Sequence, residues 1–223
     1  MSSFTVRHNR VELAVQRLSD GAVPGRRPLL LLHGLGEHTP DEVPLRQMAG
    51  FVWPGPVLGL DFTGHGGSTV PVGGGYTSEI LVGDVDTVLR ETGPVTILGR
   101  GLGAYVGLLA AAARPELVRG VVLTDGPGLV GGGTHPGSPL LPVPAPGGVV
   151  PPDPFALLEL ARDVRPPDYA QTYARYAVEG SDLDDPIWVS CVVRPEWVVA
   201  ISGEPGVARG TVSEGLARYA AVD

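Results

Sequence analysis

Five short apolar runs punctuate this chain, and they leave few ways for it to fold. They are Leu29-Leu30-Leu31-Leu32, Pro56-Val57-Leu58-Gly59-Leu60, Val95-Thr96-Ile97-Leu98, Val118 to Thr124 and Trp197 to Ile201. A strand apolar at nearly every position has no solvent face, so it belongs in a parallel sheet covered on both sides. Helical periodicity fills the intervals. Ser78 to Glu91 sets Ile80, Leu81, Val85, Val88 and Leu89 on one face, and Leu102 to Arg114 is apolar nearly all round. Thr211 to Ala221 carries Val212, Leu216 and Tyr219 on one stripe. Ahead of these, Phe4–Arg7 and Val11–Leu18 alternate as an antiparallel pair turned at His8-Asn9-Arg10. Alternating strands and helices predict an α/β fold with a mostly parallel sheet flanked by helices.

With 223 residues, 43% hydrophobic and 18% charged, the expectation is one folded domain over 1–223. Gly and Pro fill seventeen of the twenty-nine positions from Gly126 to Pro154. No regular element survives that density, so the stretch is expected to be a surface excursion within a lid or insertion over 126–190. All sixteen basic residues are Arg. That excludes a Schiff-base lysine and a Walker-type phosphate loop. A net charge of −8 argues against a nucleic-acid partner. The single Cys191 excludes a disulfide framework, and a buried cysteine is expected to be inert packing. No apolar leader is visible, and the longest apolar run is too short to span a bilayer. A cytoplasmic protein without a membrane span is the resulting expectation.

Three motifs follow predicted strands, at the sheet end where open α/β folds build sites. They are His33-Gly34-Leu35-Gly36-Glu37-His38, Asp61-Phe62-Thr63-Gly64-His65-Gly66-Gly67-Ser68 and Gly99-Arg100-Gly101-Leu102-Gly103. Each alone reads as a polar or glycine turn. In this order they resemble the α/β-hydrolase superfamily, most closely its monoacylglycerol lipase and lysophospholipase branch, over about Leu29 to Asp125. The resemblance implies an ester or lipid hydrolase with no cofactor.

The family's nucleophile elbow reads G-x-S-x-G, and Gly101 stands at the serine position. Glycine can neither attack nor be activated. The family's acid follows the strand after the lid, matched here to Gly203-Glu204-Pro205-Gly206, and its histidine follows one further strand. No histidine lies beyond His135, so the last strand, last helix and catalytic His are expected to be missing. Some members take the acid from the preceding strand, where Asp125 stands, but it would have nothing to orient. No catalytic residue is assigned.

What the resemblance leaves is an oxyanion-type pocket of His33, Gly34, Leu35, Gly101 and Leu102, with the backbone N–H groups of Leu35 and Leu102 as donors. It implies a non-catalytic protein that binds a small acyl or carboxylate ligand or a protein partner. Asp61 is a further candidate, as an unconventional nucleophile or a turn aspartate. His33 and His65 read as structural, without the further ligands a metal needs. A hydrolase acting through an unconventional nucleophile, or completed by another chain, is the alternative.

Gly99-x-Gly101-x-x-Ala104, with Asp125 about twenty residues on, also fits a nicotinamide-dinucleotide fingerprint. Finally, a lost last strand would leave the Trp197 strand as an open edge, flanked by Trp188 and Trp197. Such an edge could pair with a protein partner or a second copy.

Overall fold

The computed structural model describes residues 2–39, 52–133 and 150–222. Eight strands form one sheet: β1 (Ser2–His8), β2 (Val11–Ser19), β3 (Leu29–Leu32), β4 (Val57–Leu60), β5 (Val95–Arg100), β6 (Val118–Thr124), β7 (Ile187–Ser190) and β8 (Val207–Arg209). Their order across the sheet is β1-β2-β4-β3-β5-β6-β7-β8. β1 and β2 pair antiparallel, turned where Asn9 takes a φ of 55°. β2 joins β4 antiparallel, and every pairing beyond is parallel.

The apolar runs are buried because the sheet is covered on both faces. β3 sends Leu30 and Leu32 into one core and Leu29 and Leu31 into the other. On the first face lie α1 (Ser78–Thr92), α2 (Leu102–Ala113), α4 (Pro167–Gly180) and the short α5 (Glu196–Ile201); the second is covered by α6 (Val212–Ala220). α3 (Pro154–Arg162) precedes α4 in the segment that joins β6 to β7. α1 starts at Thr77, whose hydroxyl accepts from the Ile80 amide, and stops at Gly93 with φ of 72°. Its expected apolar face holds except at Ile80, which is 42% exposed.

The C-terminal third departs from expectation. Trp197 to Ile201 lies in a helix, and Pro195 is its N-cap. The strand of that region is Ile187–Ser190, and β8 adds a further strand beside it. A five-residue apolar run reads equally as strand or buried helix, and periodicity cannot separate them. β8 has only three residues, none of them fully buried, so it carries no hydrophobic signature. The further strand expected to be missing is therefore present as β8, and the helix that follows it, α6, is the one expected over Thr211 to Ala221. Trp197 is 1% exposed in the core and flanks no open edge; the sheet edges are β1 and β8.

The predicted surface excursion also divides. Its first residues turn inward, with Leu129 3% exposed, and its last open α3, which Asp153 caps by accepting from the Phe155 amide. His135 lies outside the described residues.

α2 presses unusually close to the sheet. A Cβ on Gly103 would stand 2.4 Å from the carbonyl oxygen of Leu32, so only glycine lets the helix start against the end of β3.

Candidate functional site

The three sequence motifs converge at the carboxyl ends of β3, β4 and β5. Between β5 and α2 the chain turns at Gly101 with φ 58° and ψ −116°. L side chains rarely adopt such angles, and they give the turn its sharpness. The amides of Leu35 and Leu102 point to one spot. That spot holds the carbonyl oxygen of Pro127, 3.0 Å from the Leu35 nitrogen and 2.9 Å from that of Leu102. The donor pair expected from sequence thus converges, and its acceptor is the chain's own backbone. A Cβ on Gly101 would meet the same oxygen at 2.1 Å, and one on Gly34 would meet it at 2.9 Å. His33, Gly34, Leu35, Gly101 and Leu102 therefore form one cradle, and the Gly126–Gly128 turn fills it.

The filling turn is fastened at both ends. Arg100 donates to the Asp125 carbonyl at 3.0 Å and pairs with Glu37 at 2.9 Å, while Glu37 accepts from the Gly34 amide at 3.0 Å. Downstream, the Leu129 carbonyl accepts from Arg165 Nη1 at 2.5 Å and from Trp197 Nε1 at 2.9 Å. The Gly132 amide donates to the Asp163 carbonyl at 2.9 Å, and the Arg165 amide to that of Gly133 at 2.8 Å. Sequence reasoning missed Pro127 and Arg165. A Gly-Pro-Gly triplet announces a turn, and nothing in it says where the turn lodges.

His33 and His65 both spend their rings on backbone groups. His33 is buried, its Nδ1 bonded to the Gly34 carbonyl at 2.8 Å and its Nε2 accepting from the Phe62 amide at 3.0 Å. Burial is the main reason its pKa is pushed down to about 3, with the neighbouring His65 adding to it. His65 bonds the Thr63 carbonyl through Nδ1 at 3.1 Å and accepts from the Gly36 amide at 3.2 Å; burial lowers its pKa as well. Each ring spends both nitrogens on backbone, so neither is free as a base.

Asp61 accepts from the Thr39 amide at 2.6 Å and the Gly67 amide at 2.8 Å, the geometry of a turn aspartate. It also edges a cleft of about 460 Å³ whose other walls include Glu37, His38, Gly67 and Pro152. Asp125 accepts from the amides of Val192 at 2.7 Å and Val193 at 2.9 Å, so it ties the loop after β7 to β6.

That loop corrects the expected position of the family's acid. The residues following β7 are Cys191, Val192, Val193, Arg194 and Pro195, whereas Gly203-Glu204-Pro205-Gly206 lies between α5 and β8. Glu204 there holds Arg175 at 2.8 Å. The loop after β8 is Gly210-Thr211, leading into α6. Neither loop presents a carboxylate or an imidazole to Gly101.

The dinucleotide alternative fares poorly. The amides of Leu102, Gly103 and Ala104, which would face a pyrophosphate, donate instead to the carbonyls of Pro127, His33 and Gly101. Asp125 is committed to Val192 and Val193. Between α4 and β7, Asp182 and Asp185 pair with Arg119 and Arg218. Among the described residues no three His, Cys, Asp or Glu side chains are placed to hold a metal ion, and no helix is long and apolar enough to cross a membrane.

Residues 29–221 match the family described as Alpha/beta hydrolase family. Esterase Rv0045c of Mycobacterium tuberculosis (strain ATCC 25618 / H37Rv) is 33% identical over 122 residues, covering 50% of this chain and 39% of the esterase. The chain thus spans about two fifths of that relative's length. Among solved structures, a bacterial membrane phospholipase A superposes with a TM-score of 0.53 at 17% identity, covering 93% of this chain and 77% of that one. A proline iminopeptidase of Mycobacterium smegmatis does so with a TM-score of 0.48 at 24% identity, covering 56% and 44%. At these identities the structural likeness shows the fold alone.

Proposed function

This chain belongs to the alpha/beta hydrolase family, and we propose that it is a non-catalytic member that acts by binding a small acyl or carboxylate ligand. Gly101 and Pro127 carry the reading. The elbow lacks a nucleophile, and the Pro127 carbonyl stands where a serine side chain would start, bonded to the two amides that would stabilise an oxyanion. His33 and His65 are held neutral by burial and spent on backbone partners, so neither of these rings takes a proton at the cradle.

A carbonyl held by two amides is the interaction an acyl ligand would make in the same place. A ligand carbonyl entering the cradle therefore exchanges with Pro127 and leaves Leu35 and Leu102 satisfied throughout. The resemblance to an esterase supports the acyl class of ligand, and the absence of nucleophile and base at the elbow supports binding without turnover.

The test is hydrolysis of short- and medium-chain p-nitrophenyl esters by the purified protein, beside Asp61→Asn, Gly101→Ser and heat-treated controls. The expected result is no turnover above the heat-treated control in any of them, because no base stands ready to take a serine proton in the Gly101→Ser variant. Saturable hydrolysis by the wild type that Asp61→Asn abolishes would overturn the reading and assign a carboxylate mechanism.

A further inference from the structure

Arg165, in the loop between α3 and α4, is 1% exposed. Its Nη1 is anchored on the Leu129 carbonyl, and its guanidinium carbon lies 4.6 Å from the centroid of the Tyr105 ring. Among the described residues Nε and Nη2 have no hydrogen-bond partner. A buried guanidinium with half its donors idle is costly, and a cation–π contact offsets only part of that cost. Desolvation pushes its pKa down to about 10, as for a cation short of a counter-charge.

The two idle nitrogens are not a random pair. Nε and Nη2 share one edge of the guanidinium and point their hydrogens the same way, which matches the two oxygens of a carboxylate. Arg175 uses that edge on this same protein: its Nε and Nη2 grip Glu204 at 2.8 and 2.9 Å. At Arg165 the Gly131 backbone lies against that edge: its φ is +64°, and a Cβ there would fall 2.7 Å from Nε and from the Asp163 carbonyl oxygen and 3.0 Å from Cδ.

We propose that the Nε–Nη2 edge of Arg165 is a binding site for the carboxylate of a small ligand. A carboxylate carries one charge and needs one fork. A phosphate dianion would call for a second cation, and the charged neighbour that acts on Arg165 is Asp163, an acid. The Gly131–Gly133 strap covers the edge, so binding is coupled to its displacement. The same strap continues from the turn that fills the elbow, through Leu129, whose carbonyl Arg165 holds. The site deepens the proposed binding role and stands whether or not the protein hydrolyses esters.

The experiment is a titration of arginine-¹⁵N-labelled full-length protein with sodium acetate and sodium butyrate. Sodium chloride and sodium phosphate run as arms at matched ionic strength, and the Arg165 Nε–H resonance is assigned by its loss in Arg165→Met. The expected result is a saturable shift of that resonance with either carboxylate and none with chloride. The melting temperature should rise by about 5–10 °C at a hundredfold excess over the dissociation constant. Arg165→Met should lose that rise, and Arg165→Lys, which keeps the positive charge without the paired Nε–Nη2 edge, should lose it too. No saturable shift, or equal shifts with chloride, overturns the site; a stronger response to phosphate overturns the choice of carboxylate. Should Arg165→Met fail to fold, assignment through Arg165→Lys and the wild-type titration still decide. A negative result leaves the ester-hydrolysis test untouched, so the two readings fail separately.

Discussion

A Cβ on Gly101 would stand 2.1 Å from the carbonyl oxygen of Pro127 and 2.6 Å from the carbonyl carbon of Gly126, so an elbow side chain and the Gly126–Gly128 turn exclude each other. In an esterase the first is the nucleophile. Here the second completes the packing, and two amides that would otherwise be unsatisfied gain an acceptor.

Substitution at the elbow should therefore be expensive. Gly101→Ala and Gly101→Ser combine a positive φ with a clash against backbone, and each is expected to lower stability by about 2–5 kcal/mol. Urea denaturation measures this. A variant as stable as the wild type would mean that the Gly126–Gly128 turn moves aside at little cost.

Trp197 joins α5 to the same turn, being 1% exposed and donating from Nε1 to the Leu129 carbonyl at 2.9 Å. Trp197→Ala should cost about 3–5 kcal/mol through the cavity it leaves. Trp197→Phe keeps most of the volume and loses the hydrogen bond, so it should cost about 1–2 kcal/mol. Equal losses in both variants would show that the hydrogen bond, and not the packing, is what matters.

Stability should peak near pH 6.5. His8 bonds Asp84 at 2.7 Å, and that bond raises its pKa above the ordinary 6.5. Its contribution is complete below the unfolded value and is lost as pH rises through the raised native one. His33 and His65 have the opposite sign. Their lowered native values mean that the unfolded chain takes up protons first as pH falls below 6.5, and the native state resists down to about pH 3 at His33. Each contributes a slope of up to about 1.4 kcal/mol per pH unit on the acid side. Denaturant melts at pH 8, 6.5 and 5 test the curve. His8→Gln should flatten only the alkaline limb, and a flat acid limb would contradict the burial of the two rings.

Cys191 is 4% exposed, its Sγ donating to the Leu123 carbonyl at 3.4 Å, and burial with the nearby Asp125 charge pushes its pKa up to about 12. Thiol-specific reagents should label the native protein only at the rate at which it opens, and label it at once in denaturant. Rapid labelling of the native state would show that the loop after β7 opens readily.

Much of this fold is legible in the sequence because burial on two faces writes itself as continuous apolar runs. Leu29–Leu32 and Val118–Thr124 are strands for that reason, and the identity of Gly101 leaves the turn between β5 and α2 without a side chain. Trp197–Ile201 misled because a short apolar segment looks alike in a strand and in a buried helix, and β8 was invisible because three half-exposed residues carry no pattern. Asp125 directly follows β6, but its partners, the amides of Val192 and Val193, lie 67 and 68 residues away in the chain.

The sequence by itself determined that Gly101 brings no side chain to the turn between β5 and α2, since an absent side chain needs no geometry to exclude it. Only the tertiary structure decided what occupies the cradle and what Arg165 lacks. Whether the amides of Leu35 and Leu102 meet a ligand or the Pro127 carbonyl depends on where a glycine-rich turn lodges. Backbone hydrogen bonds of that kind, like the idle edge of a buried guanidinium, are set by packing between distant segments, and no local pattern of residue types encodes them.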